Sequence, residues 1–212
     1  MTVQPLTDRR KICLLVQKSK KLKSAEEIKL FNKWGFDDID VQDLGLRKYI
    51  CLTPIILPHS GGRHEHKRFE KSKVNIVERL TNNLMRHGSR GGKKAKSLNI
   101  IRLAFEIIYL KTERNPVKVL VEAVENSAPC EDTTRIGYGG ITYRKAVDIS
   151  PQRRVDLALR FLADGSRKAS LGNPKTVEEC LADEIIAAAD RDSRSYAVQK
   201  KYEMERIALS SR

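Results

Sequence analysis

Apolar residues recur at helical spacing through most of the chain beyond residue 73. Val74, Val77, Leu80 and Leu84 mark one amphipathic helix, with Gly88 placed for a left-handed C-terminal residue. Leu98, Ile101, Phe105, Ile108 and Tyr109 mark a longer one. Asn115-Pro116 opens a third, with Val117, Leu120, Val121 and Val124 on one face and Pro129 closing it. A fourth carries Val155, Leu157, Leu159, Phe161 and Leu162 and is expected to stop near Gly165. Thr176-Val177-Glu178-Glu179 is a capping box before Leu181, Ile185 and Ala188. A last helix is expected over 193–209, with Tyr196, Val198, Tyr202 and Ile207. Each stripe is expected to be core.

The period changes from 3.6 to 2 in one place, at about 133–149. Thr133, Thr134, Ile136, Ile141, Tyr143, Val147 and Ile149 are β-branched or aromatic, and Gly137, Gly139 and Gly140 supply turn chemistry. This reads as a two-stranded hairpin joined directly to the fourth helix. Ser150 suits the cap of that helix and Pro151 its first position. Arg153 and Arg154 follow in the first turns, where the helix dipole favours acids. Two cations there point to an external anion rather than to a solvated face.

The first third is less periodic. Residues 1–23 hold Arg9, Arg10, Lys11, Lys18, Lys20, Lys21 and Lys23, and read as either a solvated tail or an arm on a polyanion. Ser24-Ala25-Glu26-Glu27 is a capping box, which predicts a helix carrying Ile28, Leu30, Phe31 and Trp34. The acidic stretch 36–43 is a candidate protein contact, since RNA would repel it. Residues 47–57 read as a short strand or an extended segment, with Pro54 and Pro58 barring a central sheet strand. Residues 59–73 form a basic linker with Arg63, Lys67, Arg68 and Lys73, dividing a 24–58 extension from a 59–212 body.

Charge sharpens the picture. Forty-one Lys and Arg against twenty-seven Asp and Glu leave +14, a balance suited to nucleic acid or an anionic membrane. No apolar run approaches the roughly 18–20 residues that span a bilayer, which disfavours the membrane. Cys13, Cys51, Cys130 and Cys180 form no C-x-x-C pair, so a reduced, cytoplasmic setting fits and a disulfide framework does not. Cys51 with His59, His64 and His66 matches no zinc-finger spacing, and no metal or other cofactor is expected.

Nor do the motifs assemble an enzyme. The basic glycine turn around 88–94 departs from the phosphate-loop pattern, because Lys94 follows Gly92-Lys93 where Ser or Thr is needed. Gly137-x-Gly139 lies inside a hairpin, which excludes a dinucleotide fingerprint. No zincin, hydrolase-elbow or cysteine–base pattern is present. The basic residues instead cluster at turns and helix ends: the 59–73 linker, Arg86, Arg90, Lys93, Lys94 and Lys96, the hairpin's Arg135, Arg144 and Lys145, and Arg153 with Arg154. Glycine permits backbone approach to phosphate at such places. Tyr138, Gly139 and Gly140 at the tip are expected to contact something outside the chain, while Tyr143 serves equally well in cross-strand packing.

The stretch TRIGYGGITYRKAVDISPQRRVDLALRFLADGSRKAS resembles the signature of universal family seven of the small-subunit ribosomal proteins, numbered five in eukaryotes. KVNIVERLTNNLMRHG, NPVKVLVEAVENSAPCEDTTRI, NPKTVEECLADEIIAAA and MERIALSSR are similar to its other helices, and the wording of YGGITY and ERIALSSR is most archaeal-like. The resemblance implies a mainly α fold: a bundle of about six helices, a protruding two-stranded β-hairpin and an extended N-terminal extension. It implies binding to the 3′ major domain of small-subunit rRNA, a part in nucleating head assembly, and a hairpin near exit-site tRNA, mRNA and other ribosomal proteins. By position, the 86–96 turn, the hairpin and Arg153 with Arg154 would touch RNA. The competing class is a free-standing regulator that binds mRNA or DNA as a dimer.

Overall fold

A computed structural model describes residues 28–37, 39–62, 64, 66–86 and 91–212, except the side chain of Tyr138. The basic arm 1–23, the capping box at 24–27, Arg63 and the turn 87–90 with Gly88 and Arg90 lie outside the described residues.

Among the described residues six α-helices follow one another: α1 (Ile76–Leu84), α2 (Lys94–Thr112), α3 (Pro116–Ser127), α4 (Pro151–Ser170), α5 (Val177–Ala189) and α6 (Tyr196–Ser210). Between α3 and α4 an antiparallel ribbon pairs β1 (Glu131–Tyr138) with β2 (Ile141–Asp148). The stripes read from the sequence meet in one core. Leu80, Ile101, Phe105, Ile108, Leu120, Leu159, Leu162, Leu181 and Ile185 are all fully buried there.

The same core takes in residues before the linker. Leu30, Phe36, Ile39, Leu46 and Ile50 are buried members of the cluster. The segment from Ile28 is not the helix its apolar spacing predicts. Phe31 and Asn32 adopt positive φ (52° and 60°), and Leu30 bridges Trp34 across the turn. Left-handed residues end α-helical hydrogen bonding, so each apolar side chain here packs singly. Leu30 enters the core, and Trp34 packs at a tilt against Tyr109 of α2 with ring centroids 5.0 Å apart.

Gly165 does not stop α4, which runs on to Ser170. A Cβ at Gly165 would stand 3.0 Å from Tyr196 Cβ and 3.1 Å from Glu184 Oε1. The glycine is there so that α5 and the start of α6 can press against α4, and tertiary packing overrides its weak helix propensity. On α6 the buried residues are Ala197, Val198 and Ala208, while Tyr202 faces outward. The C-terminal end of α6 braces the ribbon's stem: the Ala146 N–H donates to the Ser211 carbonyl (3.3 Å), and Arg212 pairs with Glu131.

Candidate nucleic-acid interface

The helix starts fall into two kinds. Asn75, Asn115, Thr176 and Ser195 each cap a helix by accepting a backbone N–H, and Thr176 completes the expected capping box with Glu179. The starts of α2 and α4 have neither a side-chain cap nor an acid in the first turn. Ser150 sits at the cap position of α4 but its hydroxyl makes no capping bond. These two starts carry the lysines 93, 94 and 96 and the arginines 153 and 154. Backbone donors left free at a helix N-terminus, with cations beside them, form an environment suited to phosphate.

The cations themselves divide. Lys67, Arg68, Lys73, Arg86, Lys93 and Lys96 are exposed and make no ion pair among the described residues. Arg68 lies over the Phe69 ring at 5.2 Å. Lys94 differs from its neighbours: its side chain is largely buried and its ammonium is paired with Glu78. The same carboxylate oxygen accepts the Ser60 backbone N–H (2.9 Å) and the Ser60 hydroxyl (2.8 Å). Burial opposes ionisation of Glu78, but the Lys94 and Ser60 donors outweigh it and hold the carboxyl below the usual range.

Arg154 is likewise turned inward. Its guanidinium donates to Asp43 Oδ2 (3.0 Å) and to the Pro129 carbonyl (3.2 Å). Of the two arginines expected to await an external anion, Arg154 is the one paired with the acidic stretch. Arg153 remains open to solvent, although Asp132 Oδ2 lies 3.0 Å from it.

On the ribbon, alternate residues sort by face. Arg135 lies directly opposite Arg144, and Thr134 opposite Lys145. Arg135, Arg144 and Lys145 are exposed and lack a carboxylate partner among the described residues. The face opposite the arginine pair holds Ile136 across from Tyr143, with Ile141 and Val147, all substantially exposed. Tyr143 thus pairs across the strands and still offers its ring to solvent. Gly139 and Gly140 turn the tip with positive φ (58° and 83°).

Three acids central to this arrangement were not singled out in the sequence: Glu78, Asp156, which pairs with both Lys71 and Arg79, and Glu125. Glu78 did leave a trace. It follows Val74 by four residues and so falls on an apolar stripe, where an acid demands a partner.

Among the described residues no His, Cys, Asp and Glu group is arranged to hold a metal ion, and no helix is long and apolar enough to cross a membrane. A cleft of about 370 Å³ between 53–60 and the start of α1 contains His59, His64 and Glu78, with the Ser60 hydroxyl 3.1 Å from His64 Nδ1 and donating to Glu78 Oε1 (2.8 Å). What the fold and surface define is a basic helical protein with a projecting ribbon and cations presented at helix starts and turns.

The family model described as Ribosomal protein S7p/S5e matches residues 46–212. Small ribosomal subunit protein uS7 of Methanothermobacter thermautotrophicus is 57% identical over 182 residues, covering 86% of this chain and 98% of that protein. Its counterpart from Methanosphaera stadtmanae is 56% identical over 183 residues, with the same coverage. The chain belongs to the S7p/S5e family of ribosomal proteins, and it is not an enzyme.

Proposed function

We propose that the chain is a structural constituent of the small ribosomal subunit that binds the 3′ major, head-forming domain of its rRNA and helps nucleate assembly of that domain. The observation that carries this reading is the contrast among helix starts. Four are closed by their own side chains, while the two that lie among cations are left uncapped. A-form RNA hides its base edges in a deep, narrow groove, so recognition rests on shape and phosphate, which suits such sites. Lys67, Arg68, Lys73, Arg86, Lys93, Lys96 and Arg153 supply the exposed cations, and Arg63 and Arg90 are their neighbours in sequence. Lys94 and Arg154 act from within, by holding those turns and the helix start in place.

The ribbon, exposed on both faces, is the part that reaches toward the exit-site tRNA and the mRNA, with Arg135, Arg144 and Lys145 against phosphate and Tyr143 available to stack on a base. Other small-subunit proteins complete its surroundings, and the protein works in the cytoplasm as part of the ribosome. The proposed division is a basic arm at 1–23, a branch-specific extension at 24–58, whose Leu30, Phe36, Ile39, Leu46 and Ile50 enter the shared core, and an RNA-binding body from 59.

Filter binding to a head-domain rRNA fragment over a salt series tests the reading. Affinity is expected to fall steeply and linearly on logarithmic axes as counterions are released. An affinity independent of salt, or equal for an unrelated structured RNA, overturns it.

A further inference from the structure

We infer that Glu78, a buried acid, is a positioning residue for RNA binding, because one carboxylate oxygen ties the two basic turns to each other. The inference rests on the rRNA-binding reading above and adds to it the residue that sets the geometry of the surface.

The two turns are separate in sequence, 59–73 and 86–96, with α1 between them. Among the described residues of the first turn regular hydrogen bonding is confined to a short 3-10 turn at Glu70–Lys73, and in the second Lys94 is the first residue of α2. Ser60 near the start of the first and Lys94 near the end of the second both donate to Glu78 Oε1. Glu78 lies on α1, whose Ile76, Val77 and Leu80 are fully buried, so the anchor point does not move with the loops. The acid is only 3% exposed, which keeps its charge from meeting RNA directly. Two glycines at positive φ, Gly61 and Gly92, sit one and two residues from the tethered positions and let both turns leave the anchor sharply.

The chemistry explains why an acid stands in a basic surface. A neutral anchor would accept the Ser60 donors but leave the Lys94 ammonium uncompensated in a partly buried place. Paired with Glu78, Lys94 seats the uncapped start of α2, whose neighbours Lys93 and Lys96 are exposed, as are Lys67, Arg68 and Lys73 of the first turn. Phosphates spaced along one backbone can then be met by both turns together. Holding the turns ready before binding avoids paying their ordering entropy at the moment RNA arrives.

The test turns on the sign of a charge effect. Glu78→Gln removes a negative charge, so the protein becomes more basic, and simple electrostatics predicts equal or tighter RNA binding with an equal or steeper salt slope. Positioning predicts the reverse: about tenfold weaker binding to the head-domain rRNA fragment, with the log–log salt slope shallower by about one to two, as fewer cations reach phosphate together. Ser60→Ala, which loosens one turn and leaves the buried ion pair intact, is expected to weaken binding about two- to threefold with unchanged circular dichroism. Should Glu78→Gln fail to fold, Ser60→Ala decides the matter by itself. Folded variants that bind as well as the unaltered chain, with its salt slope, overturn the inference. If the unaltered chain itself shows no salt-dependent binding to the fragment, it is the rRNA reading that fails.

Discussion

Arg154 Nη2 stands 3.0 Å from Asp43 Oδ2, across 111 residues of chain. This contact fastens the acidic stretch to the start of α4 and holds a largely buried guanidinium against a carboxylate. Asp43 uses its other oxygen to accept the Gly45 N–H (2.8 Å), so it shapes its own turn while it neutralises the arginine. Arg154→Ala is expected to cost about 2–3 kcal/mol in urea unfolding, the range for hydrogen bonds to a charged group. Arg153→Ala, at a more exposed pair, should cost under about 1 kcal/mol. Equal losses at the two positions would remove the distinction between them.

The ribbon places Arg135 opposite Arg144, and among the described residues no acid pairs with either. Like charges in direct cross-strand register repel, so the pair is held at a cost of stability. Arg144→Glu is expected to raise ribbon stability by about 0.2–1 kcal/mol while weakening rRNA or tRNA binding. Thermal melting and filter binding should therefore move in opposite directions. If both fall together, the arginines are retained for folding and not for a partner.

Gly165 lies where α4, α5 and α6 come closest. Alanine there gains about 1 kcal/mol of helix propensity. It also forces a methyl against Tyr196 Cβ and the Glu184 carboxylate, whose Oε1 already accepts from the Ser195 hydroxyl (2.7 Å) and the Ala197 N–H (2.9 Å). Overpacking of that kind costs about 1–3 kcal/mol, so Gly165→Ala should lower the midpoint of urea unfolding rather than raise it.

Glu125 and Glu78 should respond oppositely to pH. Burial raises the Glu125 carboxyl above its usual value; the N–H groups of Asp43 and Gln42 oppose this, and nearby Asp43 and Glu122 add to it. Its contribution to stability is present below the usual glutamate range and is lost as pH rises through the raised folded value. Glu125→Gln keeps an oxygen for both N–H donors, so its melting temperature relative to the unaltered chain should improve from pH 4 to pH 7. Glu78 is held below the usual range, so its contribution is present at neutral pH and is lost as pH falls through that depressed value. Glu78→Gln should lose its disadvantage on acidification.

Much of the fold was legible because the apolar stripes are regular. Val117, Leu120, Val121 and Val124 had only one face to hide, and the change of period at Thr133 announced the ribbon. The region around Leu30 was not legible. Its apolar spacing imitates a helix, and only the left-handed Phe31 and Asn32, set by packing against α2, send the chain another way. Gly165 misled for a related reason: a glycine that ends a helix and one that admits a neighbour look the same in a string of letters.

The basic surface divides along the same line. Composition, spacing and the lysines and arginines at turns and helix starts were enough to point to a polyanion and to exclude a catalytic constellation. Which cations face outward was decided only when the chain closed on itself. Lys93 and Lys94 are adjacent and chemically alike, as are Arg153 and Arg154. One member of each pair is drawn inward to a carboxylate, Glu78 or Asp43, brought from another segment, while Lys93 stays exposed and Arg153 meets Asp132 in a pair open to solvent. A charge is satisfied by what lies within a few ångströms of it, and in a folded chain that neighbour is chosen by packing.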